Sequence, residues 1–143
     1  MVEPLQLPLT DEKLQEAYRN IFAPWVQALG LTKISVEKGH AYAFLPQSPA
    51  LKYSSGAICG QAIMSAVDTV ISLAMLTSGK RVRGTVYQHT HFLRPALNDD
   101  LHIHANVLRF GNATAYGEAK VTFATSGKLV AHATAEFALE ASA

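Results

Sequence analysis

The chain has 143 residues, of which 49% are hydrophobic and 16% are charged, and its formal net charge is +1 at pH 7. This length suits one domain with a sizeable core and leaves no room for a second domain. The near balance of 12 basic and 11 acidic residues argues against nucleic-acid binding, which normally needs a basic excess. Because so few charges solvate so apolar a chain, we expect a homo-oligomer that covers part of its surface.

The single cysteine, Cys59, excludes an intramolecular disulfide and a cysteine-based zinc site. Residues 1–9 contain two prolines and lack a basic region followed by an apolar stretch. We therefore expect a flexible tether there rather than a secretory signal. A single domain over 1–143, a cytoplasmic location and no cofactor are the resulting predictions.

The first third of the chain predicts a helix followed by a β-hairpin. Apolar residues recur at spacings of three and four over 11–22, which is typical of an amphipathic helix, and Pro24 ends or bends it. Trp25 is expected to pack this helix over the sheet edge, or to line an acyl pocket. Two alternating stretches around a Lys-Gly turn then predict a hairpin, with strands at 31–37 and 40–45.

The rest of the chain predicts one long helix and a large sheet. After an apolar stretch at 57–77 come β-rich stretches, predicted as strands at 81–93, 101–110, 113–125 and 129–139. Their short connectors favour antiparallel neighbours over helical crossovers. Only the helix at 57–77 is large and apolar enough to cover one face of such a sheet. The sequence therefore predicts an α+β domain, with an antiparallel sheet wrapped around a central helix and an additional N-terminal helix.

The central helix carries one charge, Asp68, in the middle of an apolar stretch. An aspartate there is costly in lipid, and a β-rich segment follows directly, so a buried core helix is favoured over a membrane span. Gln61, Ser65, Asp68 and Ser72 are spaced four, three and four apart and form one polar stripe. The carboxylate is either held by neighbouring hydroxyls or a subunit seam, or it acts as a base or nucleophile in an apolar cleft.

The start of the central helix is a candidate oxyanion site. Its first turn offers unpaired N–H groups and partial positive charge, and Gly60 lets a ligand approach the backbone closely. A carbonyl oxygen placed there would be stabilised as it gains charge. Asp68 lies about 12 Å further along the helix axis, too far for both groups to reach one carbonyl carbon. Two antiparallel copies of the helix at a dimer interface would bring Gly60 of one copy opposite Asp68 of the other.

Four motifs along the chain resemble a known family. They are Ala-Ile-Met-Ser-Ala-Val-Asp68-Thr, Gly84-Thr85-Val86, His91-Phe-Leu-Arg-Pro-Ala and Gly127-Lys-Leu-Val-Ala-His. Together they resemble the hotdog-fold acyl-CoA thioesterases, and most closely the phenylacetate-pathway type within the 4-hydroxybenzoyl-CoA thioesterase superfamily. The resemblance extends over about 30–138.

The resemblance implies dimers with a continuous sheet, often paired into tetramers, that hydrolyse an acyl-CoA at the dimer interface. It implies that Asp68 is the catalytic aspartate, that Gly60 is the oxyanion-hole glycine and that Thr85 helps to orient water. The His-Gly-Gly typical of the family at the helix front is replaced by Cys59-Gly60-Gln61. Gln61 can offer a side-chain amide donor. Cys59 is a less favoured nucleophile, since no other feature supplies it with a base.

Further substrate contacts are expected from Cys59, Gln61 and Ser65 and from two arginines after the helix. Arg81 and Arg83 either cap the negative end of the helix or meet the nucleotide phosphates of CoA.

Two His-x-His pairs raise the possibility of a metal site. If their strands paired in register, the four imidazoles of His89, His91, His102 and His104 would converge. A polar outer face of the sheet is the simpler interpretation, and no metal is expected.

Three functions fit the sequence. Hydrolysis of an acyl-CoA is favoured, with neither a nucleic acid nor a membrane as a partner. The alternative is a non-catalytic acyl-CoA-binding hotdog module, in which the replaced histidine marks the loss of catalysis. Hydration or dehydration of an acyl thioester ranks last, since such enzymes usually pair an acid with a nearby histidine.

Overall fold

The helices and strands form close to their predicted positions in the computed structural model, which describes residues 1–143. Thr10 caps the first helix, since its hydroxyl accepts a hydrogen bond from the Lys13 N–H at 3.2 Å. The helices are α1 (Asp11–Ile21), α2 (Pro24–Gln27) and α3 (Gly60–Met75). The strands are β1 (Thr32–Glu37), β2 (His40–Leu45), β3 (Val82–Phe92), β4 (Leu101–Phe110), β5 (Thr114–Phe123) and β6 (Leu129–Leu139). A short 3₁₀ turn at Pro49–Leu51 was not predicted.

All six strands form one antiparallel sheet in the order β1-β2-β4-β5-β6-β3. The short connectors correctly predict that β5 lies between β4 and β6. They are wrong for β3 and β4, because β3 pairs with β6 at an edge of the sheet. Residues 93–100 carry the chain past the start of α3, where Ala96 is buried and its carbonyl accepts the Ile58 N–H at 3.0 Å.

The α3 helix packs against one face of the sheet and supplies the centre of the core. Val67, Val70, Leu73 and Ala74 are fully buried on it, against inward-facing residues of the strands. The predicted α+β architecture is therefore confirmed. The helix begins at Gly60 rather than at residue 57, because the preceding residues form a separate turn. No helix in the structure has the length and apolar character needed to cross a bilayer.

Two expectations for the N-terminal region are wrong. Residues 1–9 are docked rather than tethered, since Val2 pairs with Val82 and the Leu5 N–H donates to the Leu76 carbonyl at 2.8 Å. The apolar side chains of this segment pack against the core near the end of α3. Burial of their apolar surface holds the segment in place. Trp25 does not pack over the sheet edge, because 64% of it is exposed.

Candidate active site

The carboxylate of Asp68 is half-buried on α3 and meets one hydroxyl from the sheet. Thr85 on β3 donates from Oγ1 to Asp68 Oδ1 at 2.7 Å, the short distance expected of a bond to a charged acceptor. The other carboxylate oxygen accepts no hydrogen bond from the protein. Thr85 thus fixes the orientation of the carboxylate and leaves one oxygen able to take a proton or to attack a carbon.

Irregular pairing of β3 aims Thr85 at the helix. The register of β3 against β6 shifts between Val82 and Gly84 and again between Thr85 and Tyr87. Gly84 has φ +143°, a conformation that a residue with a Cβ rarely adopts. Such bulges re-aim side chains and are common beside active sites.

The front of α3 forms a second polar centre. Cys59 is the residue before the first turn and its side chain makes no capping bond. The N–H of Gly60 is not open, because it donates to the Tyr53 hydroxyl at 2.9 Å. The same hydroxyl lies 3.4 Å from Gln61 Oε1. Sequence reasoning missed Tyr53, which is seven residues before Gly60 in the chain and reaches it only through the turn between them.

A cleft of about 590 Å³ opens in front of this centre. Its lining is mainly apolar and includes Tyr53, Gly60, Phe92, Leu93 and Arg94. We call it the front cleft. A largely apolar cleft with a few converging polar groups is a typical small-molecule site.

A smaller apolar pocket of about 210 Å³ lies beside Thr85, and we call it the Thr85 pocket. Ser72 and Thr85 provide its polar edge, while Ile21, Phe22 and Phe137 are among its apolar walls. The docked N-terminal segment also contributes Val2. This pocket places an apolar compartment next to the Asp68–Thr85 pair.

The remaining predicted contacts are dispersed. The hydroxyl of Ser65 donates to the Gln61 carbonyl within α3 at 2.8 Å. Arg81 is held by Glu3 at 2.8 Å and by Glu140 at 3.5 Å, and its hydrogen bond to Glu3 raises the pKa of the guanidinium. Arg83 is exposed and makes no ion pair.

The two His-x-His pairs do not meet. His89 and His91 lie on β3, whereas His102 and His104 lie on β4, at separate positions in the strand order. His104 instead lies 3.0 Å from His40 between ring nitrogens, and both β4 histidines stack against aromatic rings of β2. The proposed convergence required β3 and β4 to be neighbours, and they are not.

The sequence matches the family model of the thioesterase superfamily over residues 56–131, more than half of the chain. The chain belongs to the thioesterase superfamily. The matched range contains α3 and β3, and with them Gly60, Asp68 and Thr85. At the level of the family, membership supports thioester hydrolysis.

Several solved structures share the fold of this chain. Zebrafish thioesterase superfamily member 2 aligns with a TM-score of 0.80 and 20% identity, covering 92% of this chain and 99% of its own. The PaaI protein of the E. coli phenylacetic acid degradation operon aligns with a TM-score of 0.80 and 22% identity, covering 90% and 91%. The smu.793 protein of Streptococcus mutans, solved bound to acetyl CoA, aligns with a TM-score of 0.72 and 22% identity, covering 78% and 90%.

No curated protein sequence matches the chain significantly. The structural likeness nevertheless confirms the predicted hotdog fold and its similarity to the PaaI type.

Proposed function

We propose that this protein hydrolyses acyl-CoA thioesters, with Asp68 as the general base or the nucleophile. The observation that carries the proposal is the Asp68–Thr85 pair, in which the only charged side chain of α3 is oriented by a hydroxyl beside an apolar pocket. As a base, Asp68 takes a proton from water while the hydroxide attacks the thioester carbon. As a nucleophile, it attacks directly and forms an anhydride that water then cleaves. In both routes the C–S bond breaks and CoA leaves as its thiolate, which takes up a proton given by the water that is consumed.

We further propose that each site is shared by two copies of the chain. Gly60 and Asp68 are separated by about 12 Å along α3, so one copy cannot present both to the same carbonyl. Large apolar side chains are exposed along the front of α3 and the β3 edge, which favours a covering partner. They are Met64, Val86, Tyr87, Phe92 and Leu93. A second copy seated on this edge would bring its own Asp68 towards the front cleft.

The Thr85 pocket supports a compact acyl group as substrate. An apolar cavity of about 150 Å³ is enough to bind benzene, and the Thr85 pocket measures about 210 Å³. An aryl group or a short to medium acyl chain therefore fits it better than a long chain. The larger front cleft, of about 590 Å³, is left for the pantetheine arm.

A specific observation favours a second candidate, a non-catalytic acyl-CoA-binding module. The Gly60 N–H is already occupied by the Tyr53 hydroxyl, and Cys59 provides no imidazole. Such a module would bind acyl-CoA stoichiometrically without releasing free thiol.

The deciding experiment measures thiol release from aryl, short, medium and long acyl-CoAs by wild type and Asp68→Asn. We expect compact acyl groups to be hydrolysed best, and the nearly isosteric variant to lower kcat by about 10³-fold or more, as for other essential acid–base groups and nucleophiles. Circular dichroism and sedimentation of both proteins control for folding and assembly. Unchanged turnover in the variant would remove Asp68 from the chemistry. Tight binding without any release from wild type would favour the binding module.

A further inference from the structure

The hydroxyl of Tyr53 occupies the position that an oxyanion would take at the front of α3. Its oxygen accepts the Gly60 N–H at 2.9 Å, the length of a good hydrogen bond. That N–H is the backbone donor assigned to the thioester carbonyl. With Tyr53 in place, a carbonyl oxygen in the front cleft meets the phenol before it meets the backbone.

The backbone around Tyr53 holds this hydroxyl in place. The Tyr53 N–H donates to the Ala57 carbonyl at 2.9 Å, and the Gly56 N–H donates to the Tyr53 carbonyl at 2.9 Å. Gly56 has φ +92°, which the tight turn requires. The turn is attached to the helix start, because the Cys59 N–H donates to the Leu51 carbonyl at 2.7 Å. The phenol is therefore preorganised relative to α3.

Two aromatic side chains lie beside the Cα of Gly60. A Cβ at this position would lie 3.4 Å from Phe92 Cζ and 3.6 Å from the Tyr53 hydroxyl oxygen. An acceptor on a ligand can bond the Gly60 N–H directly only by displacing the Tyr53 hydroxyl, which already accepts that N–H. Contact through the hydroxyl needs no such movement.

The Tyr53 hydroxyl still has a proton to donate. A phenol oxygen accepts and donates at once, and here its acceptor role is used by Gly60. The nearest acceptor for its proton is Gln61 Oε1 at 3.4 Å, which is long for an O–H···O bond. Half of the Tyr53 side chain is exposed and it lines the front cleft. A stronger acceptor in the cleft would take this proton's hydrogen bond.

We propose that Tyr53 is a catalytic residue that donates a hydrogen bond to the thioester carbonyl oxygen while it accepts one from the Gly60 N–H. This inference rests on the proposed function. As the carbonyl carbon is attacked, its oxygen gains charge and the hydrogen bond from Tyr53 strengthens. Tyr53 keeps its proton throughout, and the carbonyl re-forms when the thiolate leaves. The polarised phenol supplies a side-chain donor at a helix front where Cys59 offers only a weak one.

The first test is Tyr53→Phe, which removes the hydroxyl and keeps the ring. We expect kcat to fall by roughly 10²–10³-fold with KM little changed, as when one oxyanion-hole donor is removed. Tyr42→Phe is the matched control, since Tyr42 is a β2 residue whose hydroxyl bonds Glu37 away from both clefts. It should leave kcat unchanged. Unchanged or raised kcat in Tyr53→Phe would overturn the proposal. The hydroxyl would then only block the Gly60 N–H and would move away when the substrate binds.

The second test compares binding of two non-hydrolysable acyl-CoA analogues. A ketone analogue keeps the carbonyl and replaces the sulfur, whereas a thioether keeps the sulfur and lacks the carbonyl. Tyr53→Phe should weaken the ketone by roughly 2–10-fold, the loss of one neutral hydrogen bond, and leave the thioether unchanged. Equal weakening of both would overturn the proposal, since only ring packing would then be lost.

These outcomes separate this inference from the proposed function. Wild-type hydrolysis that depends on Asp68 but not on Tyr53 would reject the catalytic tyrosine alone. Failure of wild type to hydrolyse any acyl-CoA would reject the proposed function, and the catalytic role of Tyr53 with it.

Discussion

Strands β3 and β6 are neighbours of equal length, yet their side chains meet different surroundings. Every second residue of β6 from Ala131 to Leu139 is buried. On β3 only Val82 is buried, although Val86 and Phe92 are as apolar as the buried residues of β6. The difference arises because β6 has strands on both sides, whereas β3 is the edge of the sheet and is interrupted by two register shifts.

The comparison separates apolar residues that hold the fold from apolar residues that are available for function. Those of β6 are covered by α3 and the rest of the core. Those of β3 lie beside the front cleft, near the Thr85 hydroxyl or along the open edge. An exposed apolar edge is otherwise an aggregation hazard that proteins avoid. Its presence here supports a partner copy and a substrate as the groups that cover it.

The largest expected effect is a difference in the free energy of unfolding when one phenylalanine on each strand is replaced by alanine. Phe137 on β6 is 1% exposed and Phe92 on β3 is 48% exposed. Phe137→Ala should lower the free energy of unfolding by about 3–5 kcal/mol, as large-to-small core changes do. Phe92→Ala should lower it by clearly less, because about half of Phe92 is exposed within one copy, and should in addition raise KM, because Phe92 lines the front cleft.

Urea denaturation of both variants at one fixed protein concentration checks the stability part, since the stability of an oligomer depends on concentration. Thiol-release kinetics check the KM. Equal losses of stability at the two positions would show that β3 is as much a part of the core as β6.

A smaller effect is expected at Thr85, the β3 residue that the irregular register directs towards α3. Thr85→Val removes the hydroxyl that bonds Asp68 at 2.7 Å and keeps nearly the same shape. We expect kcat to fall by roughly 10–10²-fold, because a hydrogen bond to a charged group contributes about 1.5–3 kcal/mol. Thr85→Ser is the matched control and should retain most of the activity. If valine and serine gave the same kcat, the orientation of Asp68 by Thr85 would be irrelevant to turnover.

How far the sequence could predict the molecule depends on the range of the contacts involved. Asp68 can be predicted as a candidate because one charge within an apolar helix is visible from local spacing, and the family resemblance points to the same residue. The strands were placed because alternation and short connectors are also local. The edge position of β3 could not be deduced, because residues 93–100 are long enough either to turn back or to cross the end of α3.

The contact between Tyr53 and Gly60 was beyond the sequence for a different reason. It depends on a tight turn at Gly56 and on three backbone hydrogen bonds that set the course of the loop. Trp25 shows the opposite error, since an aromatic residue beside an amphipathic helix was expected to be packed and is mostly exposed. Composition indicates which side chains can be buried, but it does not indicate which of them pack against another part of the fold.

The smallest effect concerns the pH dependence of stability that arises from two histidines of β4. Burial lowers the pKa of His102. The pKa of His104 is lowered first by burial and then by the charges that His40, His102 and Lys120 would carry, with Glu37 opposing. Below the ordinary histidine pKa of about 6.5, these two side chains therefore bind more protons in the unfolded chain than in the folded chain. The resulting stability is present above that pH and is lost as the pH falls through the lowered folded-state values.

We therefore expect the melting temperature to decline by a few degrees between neutral pH and pH 5, in part through these two side chains. Replacing both with glutamine should flatten this decline, because glutamine does not titrate and still fits a half-buried strand position. His89→Gln, an exposed position on β3, is the control and should leave the slope as in wild type. Thermal scans at matched ionic strength measure the effect. If the melting temperature of the double variant declined as steeply as that of wild type, His102 and His104 would not account for the pH dependence of stability. Protonation of other side chains would then account for it.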